Sequence, residues 1–566
     1  MTQGDVNNML NLLRVEAINF DQSIDDTNQL SVVRGGGLLM REIIIDLAEA
    51  LKTNFDPGDN ADLKVLSTGG SIGIFLYPAS SIEDVLLVEA LEAALTGQGV
   101  TEEAPNWLKT AIQAFRKTET GKLAQLLSFG ISVQPLAGNG AWETISYQDF
   151  QTANNAALTN IRRQQMRQPN VVLDASSATE VCSWDGLRPV GSGDATVRKE
   201  RVSESVYQRF RVGRNAKHDG PLFRFYSREI AKSREGNSLI ARAGEVLQRL
   251  ADEPALSEST FPVDLEGLCK AVESARHPTK LAVIYADGNK FSRILAAGNP
   301  SLADYQAWDR MLQESRADFL SSLLVWLDEK RAPGEPIPLE IFLWGGDEIM
   351  FAVPADLALE AISRFFEFTS NQVWKDRKLT YSLGMVICSY KTPIQRIKAL
   401  AWNLAERVKN QLGDELEHQI NAWLYAVLES VDTPTDLDRF FEERYGAAHE
   451  HMLPLLANPE PFFEFSNWAN ELLASTSRAQ LYAMANEISR EPSWDEAIRR
   501  FEEVTGIART ELREQILSAL PHMTPGEDES TVSSILHWLE LADYWPKPVQ
   551  PSSADTNVDS ELEVVQ

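Results

Sequence analysis

The sequence predicts an α+β protein: two ferredoxin-like βαββαβ domains, a middle connecting domain and a C-terminal helical bundle. Three observations predict it. Two apolar, β-branched runs each break at a double glycine, Leu63 to Tyr77 around Gly69, Gly70 and Ser71, and Pro338 to Val353 around Gly345, Gly346, Asp347 and Glu348. Such a run turning on glycine reads as a strand hairpin. Each hairpin has a strand and a helix before it and a helix and a strand after it, so the same order occurs twice. The region from about 416 to 545 carries only helical periodicity, broken at Thr433-Pro434, Asn458 to Pro461 and Thr524 to Gly526.

In chain order, Asn11 to Asn19 reads as a strand and Leu30 to Lys52 as a helix entered through the glycine-rich Val32 to Gly37. Leu63 to Thr68 and Ile72 to Tyr77 are the first hairpin. A helix at Ile82 to Leu95, further helix to Leu127 and a strand at Ser128 to Gln134 complete the first copy. Phe150 to Gln168 is helical. The second copy runs through a strand at 279 to 286, a helix at 302 to 331, hairpin arms Leu339 to Trp344 and Ile349 to Val353, a helix at 356 to 372, a strand at 379 to 387 and a helix at 393 to 411. The implied domains are 1–172, 173–276, 277–415 and 416–545, with 546–566 a polar, acidic, disordered tail. Within the last helical domain, Trp423, Leu424 and Leu428 with Phe440 and Phe441, then Ile535, Leu536, Trp538 and Leu539, supply the apolar faces.

At 566 residues the chain exceeds one core, and its 43% hydrophobic content is that of a folded protein. No apolar stretch of membrane-spanning length and no signal pattern appears, so a cytoplasmic location with no membrane partner is expected. Three scattered cysteines, Cys182, Cys269 and Cys388, build neither a disulfide framework nor a four-cysteine zinc site. The formal charge of −29 argues against non-specific coating of nucleic acid. One stretch opposes it: Arg198 to Arg249 holds 13 Lys or Arg against six Asp or Glu, interleaved with Tyr207, Phe210, Phe223, Phe225 and Tyr226. Stacking and phosphate contacts to RNA or DNA, or docking on acidic parts of the same chain, would each use such a face. His218-Asp219 lies in a loop composition and is not read as a nuclease site, and His449 and His451, two apart on a helix, share no face for a metal.

The chemistry concentrates at the second hairpin. Asp287 closes the strand Leu281 to Asp287, so strands lying side by side bring Asp287, Asp347 and Glu348 to one end of a sheet. Clustered carboxylates resist ionising together unless a cation neutralises them, and an all-oxygen set favours Mg²⁺ or Mn²⁺. The flanking glycines let main-chain N–H groups approach a triphosphate. The hairpin resembles that of the GGDEF cyclases and, more closely, the large palm-bearing subunit of type III CRISPR effector complexes, in which the motif usually reads GGDD. Tyr381 to Lys409, with Tyr390, Lys391 and Pro393 in place, is similar to that family's strand, Tyr-Lys-x-Pro turn and helix. Glu348 is the departure.

The resemblance implies a palm-domain nucleotidyltransferase acting on ATP or another nucleoside triphosphate. The product would be a cyclic or short oligomeric nucleotide signal in antiviral defence, and the implied partners are guide or target RNA and small helical subunits docked on the C-terminal module. Asp287, Asp347 and Glu348 would be its metal ligands. Gly288, Asn289, Phe291, Gly345, Gly346 and Lys409 would bind nucleotide. A diguanylate-type cyclase and a non-catalytic scaffold of an RNA-guided complex are the alternatives, and the oligomeric state stays open. The first copy reads as degenerate: laying Leu13 to Asn19 over Leu281 to Asp287 puts Asn19 under Asp287, with Ser71 under Asp347, and Asp21 two residues beyond. Cys182 to Val190 resembles a worn zinc-ribbon half with Asp185 in the second cysteine's place, so no zinc is expected.

Overall fold

The computed structural model describes residues 9–20, 24–56, 62–136, 141–168, 180–191, 195–214, 220–234, 236–256, 259–273 and 275–446, with short stretches at 449, 454–456, 479–480, 483, 494–506, 510, 536–537 and 539–544. The chain runs β1 (Leu10–Ile18), α1 (Leu30–Asn54), β2 (Lys64–Ser67), β3 (Ile72–Pro78), α2 (Asp84–Thr96), α3 (Asn106–Lys117), β4 (Ser128–Leu136) and α4 (Tyr147–Arg167). The middle region supplies α5 (Glu204–Arg214), α6 (Pro221–Ile230) and α7 (Ser238–Asp252). The second copy is β5 (Lys280–Gly288), α8 (Phe291–Ala296), α9 (Leu302–Lys330), β6 (Glu340–Gly345), β7 (Glu348–Pro354), α10 (Ala358–Thr369), β8 (Tyr381–Ser389) and α11 (Ile394–Leu412). Then follow β9 (Ala422–Val427), α12 (Leu437–Tyr445), β10 (Leu455–Leu456) and α13 (Trp494–Thr505).

The two copies have the same strand order. The first sheet is β2-β3-β1-β4, and the second contains β6-β7-β5-β8, the arrangement expected of ferredoxin-like palms. In each, the first strand lies between two antiparallel neighbours and is buried almost end to end; Leu281 to Ala286 is an unbroken apolar run, while in β1 the buried Arg14 and Glu16 pair with each other. Sequence reading had made 416 onward helical throughout. Instead Ala422–Val427 is β9, which pairs in parallel with β8, and β10 closes the edge. All six β9 residues are buried. Ala-Trp-Leu-Tyr-Ala-Val is too short a run for periodicity to separate strand from helix, and the open edge of β8 decided it. His449 is half-buried and its Nδ1 lies 2.9 Å from the Gly446 carbonyl, while His451 and the loop of His218-Asp219 lie outside the described residues, as does the 546–566 tail.

Val32 to Gly37 is not a helix entry. It lies inside α1, whose first residue is Leu30, and its glycines serve a helix crossing. A Cβ on Gly35 would stand 1.8 Å from the Arg209 carbonyl oxygen of α5, and a Cβ on Gly213 would stand 1.9 Å from the Ser31 carbonyl oxygen of α1. Only glycine permits such backbone contact. Arg34, in the middle of this motif, spans three parts of the chain. Its guanidinium holds both carboxylate oxygens of Glu340 on β6 and donates to the Gly213 carbonyl at 2.9 Å and the Pro262 carbonyl at 2.5 Å, all buried.

The palms meet elsewhere too. The Tyr147 N–H donates to the Pro300 carbonyl and the Leu302 N–H to the Ile145 carbonyl, each at 2.8 Å, so the starts of α4 and α9 are laced together. Tyr147 and Tyr305 stack with centroids 5.6 Å apart. The turn after β2 faces the turn after β6: a Cβ on Gly345 would stand 3.6 Å from the Gly70 nitrogen.

Removing one partner of a buried, hydrogen-bonded ion pair strands the other charge without water. Glu340→Ala is therefore expected to lower stability by about 3–5 kcal/mol. Chemical denaturation followed by circular dichroism checks it; a change below about 1 kcal/mol would mean that Arg34 is satisfied by the Gly213 and Pro262 carbonyls alone.

Candidate metal and nucleotide site

β5 and β7 pair so that Asp287 lies directly opposite Glu348, and Ser382 of β8 lies on its other side. The connection is tighter than the four-residue turn read from sequence. Gly345 pairs with Glu348 across the hairpin, leaving Gly346 and Asp347 as the turn, and Glu348 is the first residue of β7. Gly346 takes a φ of +56°, which a Cβ would strain. The Gly288 N–H donates to the Asp347 carbonyl at 3.2 Å and ties the turn to the end of β5.

The three carboxylates thus share one end of the sheet. Tyr285, two residues before Asp287 and on the same strand face, points its hydroxyl at Asp287 Oδ2 (3.3 Å) and Glu348 Oε1 (3.0 Å). Lys409 Nζ meets Asp287 Oδ2 and lies 3.5 Å from Glu406 Oε1. Burial raises the pKa of all three carboxyls above the usual carboxylate range. Repulsion adds to this, from Asp347 on Asp287, from Glu348 on Asp347 and from Asp287 on Glu348, while the Lys409 charge opposes it. Burial alone would depress the Lys409 ammonium, but Asp287 outweighs it and holds the lysine charged. Burial and the two carboxylates push the Tyr285 phenol up, so it stays a donor.

Hard oxygen donors crowded enough to hold one another's protons suit a divalent cation, and Asp287, Asp347 and Glu348 are the residues that would hold it. The expected three-way convergence is not closed, however. Among the described residues no three acidic, histidine or cysteine side chains stand at metal-ligand spacing. Asp287 is drawn to Lys409, and Asp287 and Glu348 share the Tyr285 hydroxyl.

The other predicted residues divide. Gly288 is needed because a Cβ there would stand 2.6 Å from the Phe291 ring. Asn289 is committed inward: its amide donates to Thr380 Oγ1 and the Ile420 carbonyl, each at 3.0 Å, and its Oδ1 accepts from Ser382 Oγ at 2.7 Å. Phe291 is buried, its ring meeting Trp308 and Tyr381 edge to face. In this structure both residues pack the strand end and present no free group to a nucleotide. Gly345 and Gly346 stand at the hairpin end, and Pro393 of the Tyr-Lys-x-Pro turn caps α11, which carries Lys409. Beside the hairpin, a cavity of about 350 Å³ opens between the palms, lined by Gly70, Ser71, Arg41, Phe225, Trp344 and Lys398 among others. Tyr285 was legible from the period of two along β5 and was missed. Arg316, whose Nη1 donates to the Gly346 carbonyl, gives no signal in sequence.

The first palm corrects the sequence overlay by three residues. The Ala17 N–H donates to the Ser71 carbonyl at 3.0 Å, as Gly288 does to Asp347, and Glu16 pairs with Ile72. Glu16, not Asn19, therefore occupies the position of Asp287, while Ser71 and Ile72 replace Asp347 and Glu348. Glu16 is not available as a ligand. It is buried between Arg14 and Arg162, each at 2.9 Å. Asn19 lies past the strand at a φ of +61° and accepts from Gln165 at 2.9 Å, and Asp21 lies outside the described residues.

In the middle region the Cys182 to Val190 segment is held by charge. Asp185 accepts from the Leu187 and Arg188 N–H groups at 2.9 and 3.0 Å and from the Arg188 guanidinium at 2.9 Å, closing a turn over buried Cys182. Arg188 and Arg209, both fully buried, converge on Asp26. The basic stretch is largely spent inside the chain: Arg224 and Arg228 face Glu42, Arg234 faces Glu314 and Asp318, Arg242 faces Glu329, and Arg249 faces Asp328. This is docking on acidic parts of the same chain.

Residues 280–416 match the family model of the second palm domain of Cas10/Cmr2. This segment is similar to the second palm of Cas10/Cmr2. No curated protein matches the chain. Among solved structures, similar ones include a Csm1–Csm4 cassette in complex with cA4 (12% identity, TM-score 0.46, covering 96% of this chain and 71% of that one). Csm1 in T. onnurineus is another, at 11% identity and a TM-score of 0.43, covering 96% and 70%. The Csm1–Csm4 subcomplex in the type III-A CRISPR-Csm interference complex has 11% identity and a TM-score of 0.45, covering 96% and 71%. Among the described residues of this chain, no helix is long and apolar enough to cross a membrane.

Because the three carboxyls of the second palm hold protons more tightly when folded, the cation-free fold loses stability as pH rises through their raised pKa values, the folded state being the one that binds more protons there. A divalent cation reverses the balance at neutral pH, and protons displace it as pH falls. Saturating Mg²⁺ or Mn²⁺, at about 100 times its Kd, is expected to add about 2.7 kcal/mol at about pH 7.5. That gain should shrink by about pH 5 and vanish in Asp347→Asn. Thermal melts with and without metal measure it; equal melting points at both pH values would exclude a cation here.

Proposed function

We propose that the chain is a nucleotidyltransferase that converts nucleoside triphosphates, ATP in particular, into cyclic or short oligomeric nucleotides within a type III CRISPR defence system. The observation that carries this reading is the facing of Asp287 and Glu348 in adjacent strands, with Asp347 on the glycine turn between them, inside a Cas10-type palm. Divalent cations, when bound, would activate an attacking hydroxyl and neutralise the leaving pyrophosphate. Asp287, Asp347 and Glu348 would hold them, with Tyr285 keeping Asp287 and Glu348 apart and oriented. Gly345 and Gly346 leave the main chain open to a triphosphate, and Lys409, already charged beside Asp287, offers it a cation.

The first palm would present the second nucleotide. Its glycine turn stands against Gly345, and its lost acidic pair makes it a holder of substrate rather than a catalyst. The arrangement thereby sets two nucleotides face to face within one chain, as GGDEF cyclases do with two. The similarity of residues 280–416 to Cas10/Cmr2 supports ATP as substrate, with guide or target RNA and small helical subunits as partners. Glu348, longer than the usual aspartate, bears on cation geometry and on the length of the product. One observation favours a non-catalytic scaffold instead: Lys409 pairs with Asp287 and supplies the positive charge that a cation would.

Incubation with each labelled triphosphate and Mg²⁺ or Mn²⁺ decides between them. Asp347→Ala is expected to lose on the order of 10³-fold or more in rate, because the ligand's charge is required in the transition state. Ser71→Ala should cost little. Co-purifying RNA with no product from any triphosphate would favour the scaffold, and equal severe losses in the two variants would make the first palm catalytic.

A further inference from the structure

Arg316 projects from α9 toward the hairpin, and its Nη1 donates to the carbonyl of Gly346. That carbonyl belongs to the same planar peptide unit as the N–H of Asp347, and in a trans peptide the two point in opposite directions. Anchoring the carbonyl on α9 therefore turns the Asp347 N–H away from α9. On its other side the turn is tied by the Gly288 N–H to the Asp347 carbonyl, which leaves the Gly346 carbonyl to Arg316. No heavy atom lies within 4 Å of where a Gly346 Cβ would stand, and a glycine at φ +56° has neighbouring conformations open to it.

The Arg316 guanidinium is within electrostatic reach of Asp309 on its own helix and of Glu229 on α6, which is itself paired with Arg41 of α1, while its Nε has no hydrogen-bond partner. Glu229 thus sits between an arginine of the first palm and the arginine that holds the hairpin of the second. The guanidinium also places a positive charge near Asp347.

We propose that Arg316 is a positioning residue: by gripping the Gly346 carbonyl it fixes the peptide plane that aims Asp347 at Asp287 and Glu348. It acts through the turn and touches no reacting atom. Its kinetic consequence rests on the nucleotidyltransferase reading, whereas its effect on the turn does not.

The test uses the full chain carrying Arg316→Ala, with Arg316→Gln, which keeps a donor and leaves a smaller void, where the alanine variant does not fold. Amide hydrogen exchange is expected to quicken in the 340–354 hairpin while the β5 and β8 strands keep wild-type protection. Turnover should fall about 100-fold, with KM for the triphosphate changed by less than about threefold, as a misplaced ligand costs rate more than binding. Added guanidinium ion should restore part of the turnover of Arg316→Ala and none of that of Asp347→Ala. Unchanged hairpin exchange overturns the proposal, and so does exchange that quickens equally through the whole palm, which would make Arg316 a general support. If the wild type turns over no triphosphate, the nucleotidyltransferase reading fails and the exchange result still decides the role of Arg316.

Discussion

The buried pair of Arg34 and Glu340 is the constraint from which the architecture follows. A guanidinium and a carboxylate withdrawn from water are tolerable only when nearly every donor and lone pair is used, and here the guanidinium also serves carbonyls of α5 and of the segment before β5. One side chain therefore sets the distance between the first palm, the middle region and the edge strand of the second palm. Around it the apolar cores of both palms run together as one cluster, which makes the inter-palm face a packed interior. Gly35 and Gly213 are its companions, since α1 and α5 must touch backbone to backbone for Arg34 to reach the Gly213 carbonyl.

The same economy governs the charges of the chain. A net charge of −29 leaves few cations to spare, and Arg224, Arg228, Arg234, Arg242 and Arg249 of the middle region lie against acidic groups of α1 and α9. At the sheet ends the two palms resolve the same problem differently. In the first, Arg14 and Arg162 neutralise Glu16 permanently. In the second, three carboxylates are left with Lys409 as their nearest cation and hold raised pKa values, a state that gains from any added positive charge. The structural strand end differs from the candidate cation site by its two arginines and by Ser71 and Ile72 in place of two carboxylates.

Much of this was legible. The doubled strand order, both glycine turns and the pairing of the second hairpin with the Asp287 strand followed from apolar runs broken at glycine. Tyr285 could have been added by stepping two residues back along the strand. The errors have physical causes. β9 was hidden because six apolar residues fit helix and strand alike, and only the unpaired edge of β8 distinguishes them. Asn289 and Phe291 lie in the right place, yet burial turned one into a strand-end clasp and the other into core. The overlay of the two palms slipped by three residues because apolar matching along β1 cannot see register, which the backbone hydrogen bonds to Ser71 and Ile72 set.

What the sequence determined by itself was local: where strands end, which turns need glycine, and that three acidic residues fall at one end of a βαββαβ unit. These depend on periods of two and 3.6 residues and on the backbone freedom of single residues, which neighbours in the chain reveal. What only the tertiary structure decided was which charges meet. Arg34 finds Glu340 across 306 residues, Lys409 finds Asp287 across 122 and Arg316 finds Gly346 across 30. Ion pairs of this kind have no sequence period, because their partners are chosen by the packing of whole domains and by the cost of leaving any one of them buried and alone.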